Sequence, residues 1–227
     1  MRTKILYEDK DIIVCHKPAG LPVQTRKPGM PDMESELKNY LHDNKEKPLI
    51  YVVHRLDQPV EGILVFAKTK EAAASLTKQV GLNEDNEKMQ KIYEARVYGK
   101  PDSGSGFLTD IMAMDTGSNQ SFIVTKGDDI KVNATKYKPK EARLEYTVIS
   151  SDDETSLLRI HLFTGRHHQI RLQMANAGCP LLGDQKYGSE DSVRYSREHG
   201  IKNVALKAVS LEIIHPKSGE TMSFSLN

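Results

Sequence analysis

The stretch LIYVVHRLDQPVEGILVFAKT, residues 49–69, decides how the rest of the chain is read. LIYVVH and GILVFAKT are apolar and rich in β-branched residues, as strands are, and HRLDQPVE connects them. The connection places His54, Arg55 and Asp57 within four residues. A carboxylate between two apolar runs lies near the edge of a core, where an isolated charge is expensive and takes up a proton. Asp57 therefore needs a cationic partner. Arg55 is one candidate, and Arg166 and Arg171 of TGRHHQIR are others. For a lone aspartate and arginine, a pair that only staples two segments is the commoner outcome, since structural ion pairs also perturb pKa values.

Working outward, ILYED and DIIVCHK precede this stretch as two short β-like runs. KPAGLPV follows them as a turn punctuated by Pro18, Gly20 and Pro22. Met33, Leu37, Tyr40 and Leu41 fall at helical spacing within residues 31–44. KEAAASLTKQVG predicts a second helix, capped at Gly81, and KIYEARVYG alternates as a strand should. SGSGF, TGSNQSF and KGDD punctuate short strands in the middle of the chain. RLEYTVIS and SLLRIHLF predict a hairpin joined by SDDET. HHQIRLQMANAG predicts a helix ended by Gly178, with Pro180 just beyond. VALKAVSLEII and TMSFSL add two strands. The expected fold is α+β, a predominantly antiparallel mixed sheet with flanking helices, in a single domain over residues 1–227.

The 227 residues suffice to bury a substantial core without disulfides or a structural metal. Cys15 and Cys179 form no CxxC and read as reduced thiols. MRTKILYEDKDI meets charges too soon for a secretory signal, and no apolar run reaches the length of a membrane span. A cytoplasmic enzyme or binding protein is expected, with no membrane association. The net charge of +1 does not itself advertise nucleic-acid binding. Yet residues 157–183 contain no acid, while Arg159, Arg166, Arg171, His161, His167 and His168 fall among them. Such a basic stretch can attract a polyanion locally.

The clustered histidines invite a metal reading, but HExxH and zinc-type Cys/His spacings are missing, and no metal is assigned. P-loop, GxSxG and strand–GxGxxG–helix motifs are missing as well, and nothing calls for a cofactor. Tyr93, on the strand KIYEARVYG, reads first as a half-buried aromatic with its hydroxyl at the surface.

Taken in order, HRLDQPVEGILVFAK, KIYEARVYG and TGRHHQIRLQMANAGCPLLGDQKYG resemble the motifs of the RluA-type RNA pseudouridine synthases. The flanking ILYEDKDIIVCHKPAGLPV and LKAVSLEIIHPKSGE are also similar to that family, so the resemblance covers nearly the whole chain. It implies the pseudouridine synthase catalytic fold as a free-standing domain, without an N-terminal S4 domain. It implies Asp57 as the catalytic aspartate and Arg55 as the arginine that enters the RNA where the uridine leaves. Tyr93 matches the aromatic that packs on the target base. Arg171 matches the basic residue paired with the catalytic carboxylate, and Ile170 walls the pocket beside it. His54 and Arg166 join Arg55 and Ile170 as candidate substrate-binding residues, and some of the basic stretch from Arg159 to Arg171 can meet phosphates.

The implied partner is rRNA or tRNA, with no obligate protein partner and a monomeric chain. Val60 and Glu61 stand where many members have Thr-Ser, and His167 where Thr is frequent, which bears on substrate sequence rather than on catalysis. Two other functions compete with this one. The first is a non-catalytic RNA-binding or assembly factor on the same fold, and the second a hydrolase that releases the base.

Overall fold

The computed structural model describes residues 2–80, 89–115, 117–125 and 138–226. They form two compact units, residues 1–92 with 207–227 and residues 93–206. The expected cap at Gly81 and the KGDD turn lie outside the described residues.

The first unit is built on a sheet ordered β1 (Lys4–Glu8), β2 (Ile12–Lys17), β4 (Glu61–Ala67), β10 (Leu206–Ile214), with β11 (Thr221–Ser225) on β10. The short β3 (Tyr51–Val52) pairs with the end of β4. β2 and β4 run antiparallel, Ile13 opposite Phe66 and Cys15 opposite Leu64, while β10 joins β4 in parallel. Ile12 through Cys15 and Ile63 through Ala67 are buried on both faces, which explains their unbroken apolar sequence. Ile12, Val14, Ile63 and Val65 pack into a core with Ala72 and Leu76 of helix α2 (Lys70–Val80). Helix α1 (Met33–Asp43) buries Met33, Leu37 and Leu41 and is capped by Asp32, whose carboxylate accepts the Ser35 N–H at 2.8 Å.

Gly62 stands where β4 meets β10, opposite Ala208, at φ 140°. A Cβ there would lie 2.5 Å from the Ala208 backbone N and O. Gly62→Ala should therefore destabilise the protein by roughly 2–5 kcal/mol, combining overpacking with backbone strain. Urea unfolding measures the loss, and an unchanged midpoint would show that the strand junction yields freely.

The second unit orders its strands β5 (Gln90–Tyr98, from Tyr93 onward), β9 (Thr155–Leu162), β8 (Lys140–Ser151), β6 (Ser105–Asp115), β7 (Gln120–Ile123). The β8–β9 hairpin turns at SDDET as expected, with Asp152 accepting the Glu154 and Thr155 N–H groups. Helix α3 (Gln169–Asn176) follows β9 and ends at Ala177, with Gly178 at φ 78°.

Three local expectations are corrected. LIYVVH pairs only over Tyr51–Val52, because the chain then leaves the sheet for the loop and His54 turns to accept a backbone N–H of β4. SGSGF is only partly a turn, since Ser105 to Phe107 already belong to β6 and face Thr147 to Glu145. Helix α4 (Glu190–Glu198) was not anticipated: it buries only Ser192 and Ser196, so it shows no apolar periodicity. Its signal was Ser189, the N-cap accepting Ser192 N–H, ahead of Glu190 and Asp191. No described helix is long and apolar enough to cross a membrane.

Candidate active site

In the first unit, His54, Arg55 and Asp57 share the loop between β3 and β4. Arg55 is exposed, Asp57 half-buried, and Leu56 between them is buried and pins the loop to the core. Asp57 opens a tight turn in which its carbonyl accepts the Val60 N–H at 3.0 Å. His54 accepts the Val65 N–H on Nε2 at 3.2 Å, so the ring props the loop against β4. Burial, with a contribution from Lys91, pushes its pKa down to about 3 and keeps it neutral for that acceptor role.

The loop is clamped by a residue the sequence did not reveal. Lys17, at the end of β2, is fully buried. Its Nζ donates to the carbonyls of Pro18 at 3.1 Å, Leu21 at 2.7 Å and Gln58 at 2.9 Å. Gly20 N–H also donates to the Gln58 carbonyl, and the Gln58 amide returns a bond to Gly20. The KPAGL turn and the Asp57–Val60 turn are thus tied through one ammonium, at the residue next to Asp57. Burial pushes Lys17 down to about 8, although the Asp57 carboxylate favours its charge.

That shift has a sign that can be tested. The folded chain releases the Lys17 proton near pH 8, whereas the unfolded chain keeps it up to the ordinary 10.5. Across that interval the unfolded state binds more protons, so the contribution of Lys17 to stability rises with pH; below it, the contribution is constant and unfavourable. Relative to Lys17→Met, the wild type should gain up to about 3 kcal/mol between neutral pH and the upper end of that interval. Parallel pH dependences of unfolding in the two proteins would contradict the shift.

In the second unit, Tyr93 lies on β5 and is 6% exposed, more enclosed than the half-buried position its strand suggested. Arg166 stands in the turn before α3, half-buried, its Nε donating to the Glu141 carbonyl at 2.7 Å. Ile170 and Arg171 are buried on the first turn of α3. Arg171 is held by Asp184 in a two-pronged pair, Nε to Oδ2 at 2.7 Å and Nη2 to Oδ1 at 2.8 Å. Asp184 also accepts the N–H groups of Lys186 and Tyr187. Burial works to raise the Asp184 pKa, but the Arg171 guanidinium and those N–H groups outweigh it and the net shift is downward.

Gln169 braces the same turn. Its Oε1 accepts from Thr164 Oγ1 and the Arg166 N–H, and its Nε2 donates to the Arg143 carbonyl and to Gln173. Lys17, Asp184, Tyr187 and Gln169 were all missed as site residues. GDQKYG and the i, i+4 amides of HQIRLQ were the available signals.

Among the described residues, Asp9, Asp11 and His215 are close enough together to share a cation. Asp9 and His215 form a clasp. Asp9 Oδ1 accepts the N–H groups of Asp11 and Ile12. His215 Nδ1 accepts the Ser218 N–H, so Nε2 carries the proton and donates to Asp9 Oδ2 at 2.9 Å.

The fold places the chain in a class. It superimposes on the solved human RNA pseudouridylate synthase domain containing 4 with a TM-score of 0.73 at 23% identity, covering 99% of this chain and 88% of that one. The human RNA pseudouridylate synthase domain containing 1 gives a TM-score of 0.74 at 20% identity, covering 99% and 83%. The family model described as RNA pseudouridylate synthase matches residues 11–176, a span holding Asp57, Tyr93 and Arg171.

Sequence relatives narrow this further. A dual-specificity RNA pseudouridine synthase RluA from Vibrio vulnificus is 31% identical, over 95% of this chain and 79% of that protein. The protein of the same name from Salmonella typhi is 32% identical, over 98% and 91%. Ribosomal large subunit pseudouridine synthase D from Nitrosomonas europaea is 33% identical over 96% of this chain, which spans only 60% of it. The chain belongs to the RluA-type RNA pseudouridine synthases, a family of isomerases acting on RNA.

Proposed function

We propose that this chain isomerises specific uridines of ribosomal or transfer RNA, with Asp57 as the catalytic carboxylate. The observation that carries the proposal is the held loop: a half-buried acid fixed next to a three-carbonyl ammonium clamp, within the family's matched span. The reaction breaks the N1–C1′ bond, turns the base and rejoins it through C5, with a proton lost from C5 and one gained at N1. No electrons enter or leave. Asp57 serves either as nucleophile or as the base that takes a sugar proton.

A uridine in stacked RNA must be flipped out, at a cost of a few kcal/mol. Arg55, exposed on the loop, fills the vacated stack, and the enclosed Tyr93 ring packs on the extruded base, a contact worth about 1–3 kcal/mol. Arg171, whose Nε and Nη2 are held by Asp184, serves in this account as the basic residue that keeps the Asp57 carboxylate charged. Ile170 borders the base and Arg166 meets the RNA, while His54 supports the loop that carries Arg55 and Asp57. In this account residues 1–227 act as one catalytic domain, a cytoplasmic monomer.

The name of the Nitrosomonas europaea relative supports ribosomal RNA of the large subunit, and the dual-specificity names support more than one RNA substrate. Tritium release from RNA labelled at C5 of uridine tests the reading, with ribosomal and transfer fractions taken from cells lacking the protein. Release from one fraction names the substrate class. Retention of label in both, with tight binding of the unmodified RNA, would instead favour a binding factor.

A further inference from the structure

Tyr187 lies at the centre of a buried network around Arg171. The pair with Asp184 fixes one edge of the Arg171 guanidinium, and the Tyr187 ring lies across it, 5.2 Å from Cζ to ring centroid. The main chain of Tyr187 closes the same turn by donating to Asp184 Oδ1 at 3.2 Å. Its hydroxyl accepts the Ser121 N–H of β7 at 2.8 Å and meets His168 Nδ1 at 2.9 Å. The direction of the bond between the hydroxyl and His168 Nδ1 follows the imidazole tautomer.

His168 is the residue before α3, at φ 54°, the left-handed region that few non-glycine residues occupy. The imidazole–hydroxyl contact helps to anchor that strained residue. The His168 ring also meets the Tyr187 ring edge-on and stacks at 3.7 Å on His167. Ser121 Oγ donates to the His167 carbonyl at 2.8 Å, tying β7 to the residue before the strained one. The start of α3, which carries Arg171, is therefore held by the Tyr187 hydroxyl and ring and the Asp184 carboxylate together with Ser121 and the Gln169 brace.

We propose that Tyr187 is a positioning residue for the reaction: its hydroxyl and ring hold His168 and Arg171 in the position from which the guanidinium acts. The inference rests on the role given above to Arg171. It adds that the geometry is set from outside the helix, by the GDQKYG turn and β7.

The test compares Tyr187→Phe, Arg171→Lys and the double variant in single-turnover and steady-state assays, with a melting curve for each. Tyr187→Phe keeps the ring and should lower kcat by about 10- to 100-fold, as small misplacements of a reacting group do. KM for RNA should not move, and the Arg171→Lys background should absorb most of the loss, because the two residues act as a unit. His168→Asn, whose residue tolerates a left-handed φ, removes the same contact and should reproduce the kcat loss should Tyr187→Phe fold poorly. A folded Tyr187→Phe with wild-type kcat, or losses that multiply independently in the double variant, would overturn the proposal while leaving the role of Arg171 standing. Full turnover by Arg171→Lys would instead remove the reading on which it rests.

Discussion

Asp57→Asn should bind RNA as tightly as the wild type and form no pseudouridine, a rate loss on the order of 10,000-fold or more for an essential reacting group. The substitution keeps the size of the side chain and removes only its charge. The loop around it should hold, because the substitution leaves the Gln58 carbonyl bonded to Lys17 and Gly20, the Asp57 carbonyl to Val60 and the His54 ring to Val65. Leu56 and Val60 remain buried on either side. Filter binding alongside nucleoside analysis separates the two functions. Substantial turnover by a folded Asp57→Asn would remove the catalytic assignment, and lost binding with lost turnover would reduce the residue to a structural one.

The second large effect belongs to Arg171, and it combines two losses. Arg171→Met leaves Asp184, which has a side-chain exposure of 1%, without its guanidinium. Breaking a buried ion pair from one side costs about 3–5 kcal/mol. Adding Asp184→Asn removes the stranded charge and should restore much of that stability. Activity should stay lost in the double variant, because the role proposed for Arg171 uses the guanidinium itself.

The pH dependence has a definite sign. The Asp184 pKa is lowered in the folded state, so its stabilising contribution is present above the unfolded carboxylate value and is lost as pH falls through the folded one. The wild type should therefore lose stability toward acid more steeply than the double variant. Recovery of both stability and turnover in the double variant would mean that the pair is only a staple.

The strands were legible because burial on both faces leaves an unbroken apolar run, as in IIVC of β2 and ILVFA of β4. Asp57 was legible for the complementary reason, as a charge interrupting such runs. Lys17 was not. A lysine beside a proline turn reads as solvated, and its burial depends on a carbonyl 41 residues away. Asp184 and Tyr187 escaped notice for the same reason, since their meaning comes from a helix residue 13 positions upstream of Asp184. Gln169 and Gln173 read as a polar helix face, although both are buried and bonded to each other. These polar residues read as solvated because their partners are distant in sequence, and the fold supplies them.

The central claim is that this chain moves a uracil from an N-linked to a C-linked attachment without cutting the strand. The direct measurement is to incubate substrate RNA with the enzyme, check strand length, and digest to nucleosides for a balance of uridine, pseudouridine and free uracil. The account predicts that each uridine lost appears as one pseudouridine, with no free base and no shortened strand. Release of free uracil with abasic RNA, at rates that track Asp57, would contradict it and make the protein a hydrolase.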